Sequence, residues 1–117
     1  DGVILVENGK IAQIGPRAKI VIPKEMPVVT AAEVTPGLID THSVVGLSGA
    51  YNSPADQDQD ERSGPIQPAL RVLDSFNPNE PLLDFLRSEG VTVIHAMPGP
   101  VNVIAGQTGV FRTAGRT

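Results

Sequence analysis

The residues able to do chemistry gather in V-T-P-G-L-I-D-T-H-S-V-V-G, Val34 to Gly46, where an apolar run delivers Asp40 and His42 to one strand end. In a β-strand, residues i and i+2 point to the same face. Two histidines spaced H-x-H can therefore aim both imidazoles at one divalent metal from a single strand. Imidazole suits zinc and similar borderline cations, and a catalytic site keeps one coordination position open for water. His42 supplies one such ligand, but the position two residues on is Val44, which offers only methyl groups. The competing reading makes His42 an ordinary strand-end histidine hydrogen-bonded to a neighbour. Asp40 has the same two readings. It orients groups around a site, or it satisfies backbone N–H groups as the chain leaves the strand.

His95 lies inside the apolar run V-T-V-I-H-A-M. A satisfied core or strand-end histidine is its plainer role; lining a cleft at the strand's carboxyl end is the functional one. The run D-Q-D-Q-D-E, Asp56 to Glu61, places carboxylates at alternate positions. A calcium-binding EF-hand loop needs Gly at its sixth position and Glu at its twelfth. Glu61 and Gln67 stand there instead, so a solvated acidic loop is expected. G-Q-T-G, Gly106 to Gly109, lacks the Gly-Lys-Ser/Thr of a phosphate loop and reads as a loop with no nucleotide role. Neither a Ser/His/Asp order nor a cysteine nucleophile can be argued from the residues present.

The elements that must position these residues follow from punctuation and periodicity. Residues 3–7 are rich in β-formers, and Asn8-Gly9 separates them from K-I-A-Q-I-G, the strongest short-range signal for a type I′ hairpin. Ile11 and Ile14 break strict alternation, which predicts a bulge or a bend near Gly15-Pro16. Two further short strands are expected at Lys19–Ile22 and Val28–Ala31, punctuated by Pro23 and Pro27. From Gly46 to Asn79 the pattern becomes loop-rich. Within it, Leu70, Leu73 and Phe76 at three-residue spacing predict a short helical segment on the surface. N-E-P-L-L-D-F-L-R-S-E-G is a clearer helix. Asn79 is its expected cap, Pro81 sits in its first turn, and Gly90 is its left-handed end. The strand from Val91 follows at once, nearly continuous in apolar residues as a parallel sheet requires. Strand, crossover with helix, and strand make one βαβ unit.

Composition narrows the classes. At 40% hydrophobic and 19% charged, the 117 residues suit one modest globular core. A net charge of −4 and 3% aromatics provide neither a phosphate-binding surface nor a stacking platform, so no nucleic-acid partner is expected. No apolar run approaches the length of a membrane span, so no membrane partner is expected. Absence of cysteine removes disulfides and thiolate metal sites and leaves the compartment open between cytoplasm and bacterial periplasm.

Several of these segments, taken in order, resemble the amidohydrolase superfamily, and within it the imidazolonepropionase-like group. I-L-V-E-N-G-K-I-A-Q-I-G-P resembles the hairpin of its β-sandwich domain, and V-T-P-G-L-I-D-T-H-S resembles its first barrel strand. S-G-P-I-Q-P-A-L-R-V-L-D-S, the S-E-G-V-T-V-I-H step and the G-Q-T segment resemble the helix and strand that follow. The resemblance implies an α/β fold. Residues 1–33 would form part of an amino-terminal β-sandwich, and residues 34–117 the first strand, crossover with helix and second strand of a TIM-like barrel. Complete barrels take about 250 residues, so an amino-terminal portion is expected. The implied activity is hydrolysis of C–N bonds in amides, peptides or cyclic imides, with a divalent metal, zinc above all, activating water. Against the family's D-x-H-x-H, Asp40 and His42 match and Val44 departs from the second ligand. The other ligands belong to later strands, so the chain by itself is expected to be inactive. The implied partners are a small amide or peptide substrate for the parent, and either self-association or the remainder of a barrel. A reading of a different class is a non-catalytic β-rich module that pairs through open sheet edges.

Overall fold

A computed structural model describes residues 1–115, which fall into two compact units, Asp1–Val34 and the rest from Thr35 onward. The first unit is a two-stranded antiparallel sheet of β1 (Gly2–Glu7) and β2 (Lys10–Pro16). Asn8 and Gly9 carry φ values of 51° and 73°. Both central residues are thus left-handed, as a type I′ turn needs. Leu5 lies opposite Gln13 and Val6 opposite Ile11, which leaves Ala12 as an extra residue. A bulge of this kind was expected near Gly15-Pro16, but those residues pair regularly with Val3 and Gly2 and the extra residue lies at Ala12 instead. Leu5 and Ile20 are the buried apolar side chains of this unit.

The strands expected at Lys19–Ile22 and Val28–Ala31 do not form. A 3₁₀ turn at Arg17–Lys19 is followed by chain without strand structure as far as Gly37. Pro23, Pro27 and Pro36 have no N–H to donate to a ladder. Val21 and Val29 remain 88% and 92% exposed, so no face of this segment is packed in a way that would fix a register.

The second unit is mixed α/β. Its sheet has the order β3 (Leu38–Ser43), β4 (Val91–Ala96), β5 (Gly109–Arg112), with β3 parallel and β5 antiparallel to β4. Between β3 and β4 lie two helices, α1 (Val72–Ser75) and α2 (Pro81–Ser88). β5 was not anticipated: it begins at Gly109, the last residue of the segment read as a loop.

Glu80, rather than Asn79, caps α2. Its Oε1 accepts from the N–H of Leu82 at 3.3 Å and from that of Ala50 at 2.9 Å, and the residue is only 4% exposed. Asn79 instead donates its own N–H to Asn77 Oδ1 at 3.0 Å. Glu80 wins because its longer side chain closes two orphan donors at once, one of them in the crossover. Gly90, at φ 87°, ends the helix in the left-handed conformation.

The core of this unit is Leu47, Val72, Leu83, Ile94 and Ala96, with Val45, Phe76, Leu86, Val91 and Phe111 packed around it. In the short helical segment the buried face is Val72 with Phe76, four residues apart. Leu73 is 66% exposed, so the expected three-residue stripe is not the inward one. The rings of Phe76 and Phe111 stack in parallel with centroids 3.9 Å apart.

The long crossover is stitched to the chain that follows β4. Gln67 N–H donates to Ile104 O at 2.7 Å, and Gln107 N–H to Leu70 O at 2.8 Å. The Asn102 side-chain amide donates to both Glu61 O (2.6 Å) and Gly64 O (2.8 Å). No helix among the described residues is long and apolar enough to cross a membrane.

Candidate site at the end of strand β3

Leu38 and Ile39 carry β3 alongside β4, and the ladder is irregular where the candidate residues begin. Asp40 is opposite Ile94 and Ser43 is opposite Ala96, so three steps along β3 match two along β4. An extra residue of this kind re-aims side chains and interrupts strict alternation. The i, i+2 rule therefore does not carry from Asp40 through His42 to Val44. Val44 lies beyond the last residue of β3, and its carbonyl accepts from the N–H groups of Leu47 and Ser48, both at 2.9 Å. It opens a tight turn in which Gly46 takes φ 91°.

Asp40 is half-buried and His42 exposed. Asp40 Oδ1 accepts the backbone N–H of His42 at 3.0 Å. Asp40 thus forms an Asx-type turn over the strand end, the backbone-satisfying role weighed for it in the sequence. His95, half-buried on β4, reaches the same tripeptide. Its Nδ1 is 3.2 Å from Thr41 O and its Nε2 is 2.7 Å from Thr108 Oγ1. A carbonyl oxygen can only accept, so Nδ1 carries the proton, and in the neutral ring Nε2 accepts from the Thr108 hydroxyl. Asp40, Thr41, His42, His95 and Thr108 therefore form one neighbourhood, in which Thr41, His42 and Thr108 are exposed and Asp40 and His95 half-buried. Thr41 and Thr108 were missed in the sequence. The signal available was a hydroxyl in G-Q-T-G next to the short β-rich run V-F-R.

The donor set does not fit a metal by itself. No group of three His, Cys, Asp or Glu able to hold an ion occurs among the described residues. Both nitrogens of His95 are engaged, and Asp40 Oδ1 is occupied by a backbone donor. Catalytic zinc sites normally take three protein ligands, and among the described residues this strand end brings together fewer than three.

The acidic run lies elsewhere and is less solvated than expected. Asp58 is exposed, but Asp56 and Asp60 are half-buried. Their carboxylates lie against Gly49 and Gly99, where a Cβ would collide with them. Glu61 accepts the Ser63 N–H at 2.7 Å, and that bond holds its carboxyl below the usual range. A cavity of about 280 Å³ is lined by Asp58, Asp60, Glu61, Arg71 and Asp74 among others, and by none of Asp40, His42 or His95. The Arg71 guanidinium hydrogen-bonds Asp74 and lowers its pKa, an exposed pair of little energetic weight.

Comparison with known proteins gives this geometry a context. No family model matches the chain. A curated relative, amidohydrolase tasK of Hapsidospora irregularis, is 30% identical over 116 residues, which is 97% of this chain and 12% of that protein. The crystal structure of an amidohydrolase from Thermotoga maritima MSB8 superposes with a TM-score of 0.79 at 29% identity. That match covers 96% of this chain and 29% of the other. The chain thus spans a minor part of the length of each protein it matches. Sequence and fold agree over nearly all of its residues, so the chain is similar to one segment of each of these two amidohydrolases.

Proposed function

We propose that this chain is the amino-terminal part of a metal-dependent hydrolase of the imidazolonepropionase-like group, acting on C–N bonds of small amides, peptides or cyclic imides. Residues 1–33 would contribute to a β-sandwich, and residues 34–117 would begin a TIM-like barrel. The observation that carries this reading is the parallel β3–β4 pair with α2 between, which sets Asp40 and His42 at the carboxyl end of β3. Active sites of such barrels lie at the carboxyl ends of their strands. A bound metal, zinc by preference, would supply an activated water. In this chain His42 is one ligand of a set that later strands must complete, so the chain alone is inactive.

The test uses a longer protein that contains this segment. His42→Ala is expected to lower metal content and C–N hydrolysis by at least about tenfold, with the melting temperature nearly unchanged. Unchanged hydrolysis with a marked fall in melting temperature would make His42 structural.

A second reading, association through the open sheet, rests on exposed apolar residues. Ile39 pairs with Val93 and His95 with Val110, so all four lie on the sheet face opposite Ile94. Ile39 and Val110 are 64% and 71% exposed. For the chain by itself, a second copy is the available cover, and light scattering should report a dimer or larger species. A stable monomer at high micromolar concentration would rule this out.

A further inference from the structure

We propose that His95 is a positioning residue: through Thr41 it fixes the backbone from which Asp40 and His42 project, and Thr108 sets its tautomer. The proposal rests on the amidohydrolase reading only for the importance of that strand end; the bonds themselves are independent of it.

The geometry is specific. The β3–β4 ladder is interrupted between Asp40 and Ser43, so the regular sheet register does not hold the backbone there. A side-chain bond takes over, with His95 Nδ1–H donating to Thr41 O at 3.2 Å. Imidazole alone is ambiguous, because either nitrogen can carry the proton. The Thr108 hydroxyl, 2.7 Å from Nε2, removes the ambiguity by donating to that nitrogen's lone pair. The peptide group of the anchored Thr41 carbonyl also carries the His42 N–H, which is held by Asp40 Oδ1, so both ends of the Thr41–His42 amide are anchored. From β4, His95 ties the end of β3 to the approach to β5. A histidine outside the ligand set that orients a ligand's own strand acts as outer-shell partners do around metals. With both nitrogens committed, it orients and does not itself ligate.

Long-range ¹H–¹⁵N spectra of the 117-residue chain should show His95 as the Nδ1–H tautomer. Amide hydrogen exchange then reads the anchor. His95→Leu should speed exchange at His42 by about tenfold or more relative to the amides of Leu83 and Ile94, whereas global destabilisation would speed all three together. His95→Gln, whose amide can donate to Thr41 O and accept from Thr108, should restore the slower exchange. If His95→Leu does not fold, Thr108→Val serves instead, and it should mix the His95 tautomers and loosen the His42 amide. An Nε2–H tautomer in the unmodified chain, or unchanged His42 exchange in these variants, would overturn the proposal. Absent hydrolysis in a longer protein that still shows the anchored tautomer and protected His42 amide would instead sink the amidohydrolase reading alone.

Discussion

Gly46→Val should lower the unfolding free energy by about 3 kcal/mol or more, read as a shifted urea midpoint at constant slope. Two independent costs meet at this residue. Gly46 has φ 91°, a left-handed conformation that a β-branched residue adopts only under strain. A Cβ there would also lie 2.3 Å from Phe76 Cε2 and 2.7 Å from its Cδ2. Phe76 has little room to retreat, because its ring stacks on Phe111. Meanwhile the Gly46 carbonyl accepts the Asn77 N–H at 2.7 Å, so the backbone cannot easily turn away either. A loss below about 1 kcal/mol would show that the turn and ring relax together, contrary to a close-packed interior.

Ile94→Ala is expected to cost about 2–5 kcal/mol and, in a core this small, to approach complete unfolding. Ile94 is fully buried and sits in the one cluster with Leu47, Val72, Leu83 and Ala96. Few other apolar residues can close over the cavity. The control is Ile39→Ala on the opposite face. Ile39 is 64% exposed, and its loss should change stability by no more than about 0.5 kcal/mol. Similar losses for the two would mean that the uncovered face is packed in solution, which dimerisation would accomplish.

Particular residues show what was legible in the sequence. Asn8-Gly9, Pro81 and Gly90 mark their turn, helix start and helix end through backbone requirements that are local and therefore readable. Val91–Ala96 was readable because four of its six residues are apolar and it follows directly on the helix-ending Gly90. What was hidden depends on distant partners. Glu80 outranks Asn79 as a cap only because Ala50, thirty residues earlier, presents a second N–H. The slip in register between Asp40 and Ser43 has no local signature, yet it defeats the alternation on which the H-x-H argument rests. Val28 to Ala31 has the composition of a strand but finds no ladder here. His95 was recognised as a choice between core and cleft; the residues that decide its bonding, Thr41 and Thr108, lie 54 and 13 positions away.

The Asn102 amide that spans the carbonyls of Glu61 and Gly64 has a kinetic consequence. Its partners are 41 and 38 residues earlier, and the neighbouring bonds to Gln67 and Leu70 are similarly remote. Loop-closure entropy must be spent before such contacts return anything. The crossover therefore cannot acquire its shape as it is synthesised. It waits for β4 and the chain behind it as far as Gln107 to leave the ribosome, and then sets as a late event templated by the sheet. By the same logic it is the first region to come loose when the segment between β4 and β5 detaches.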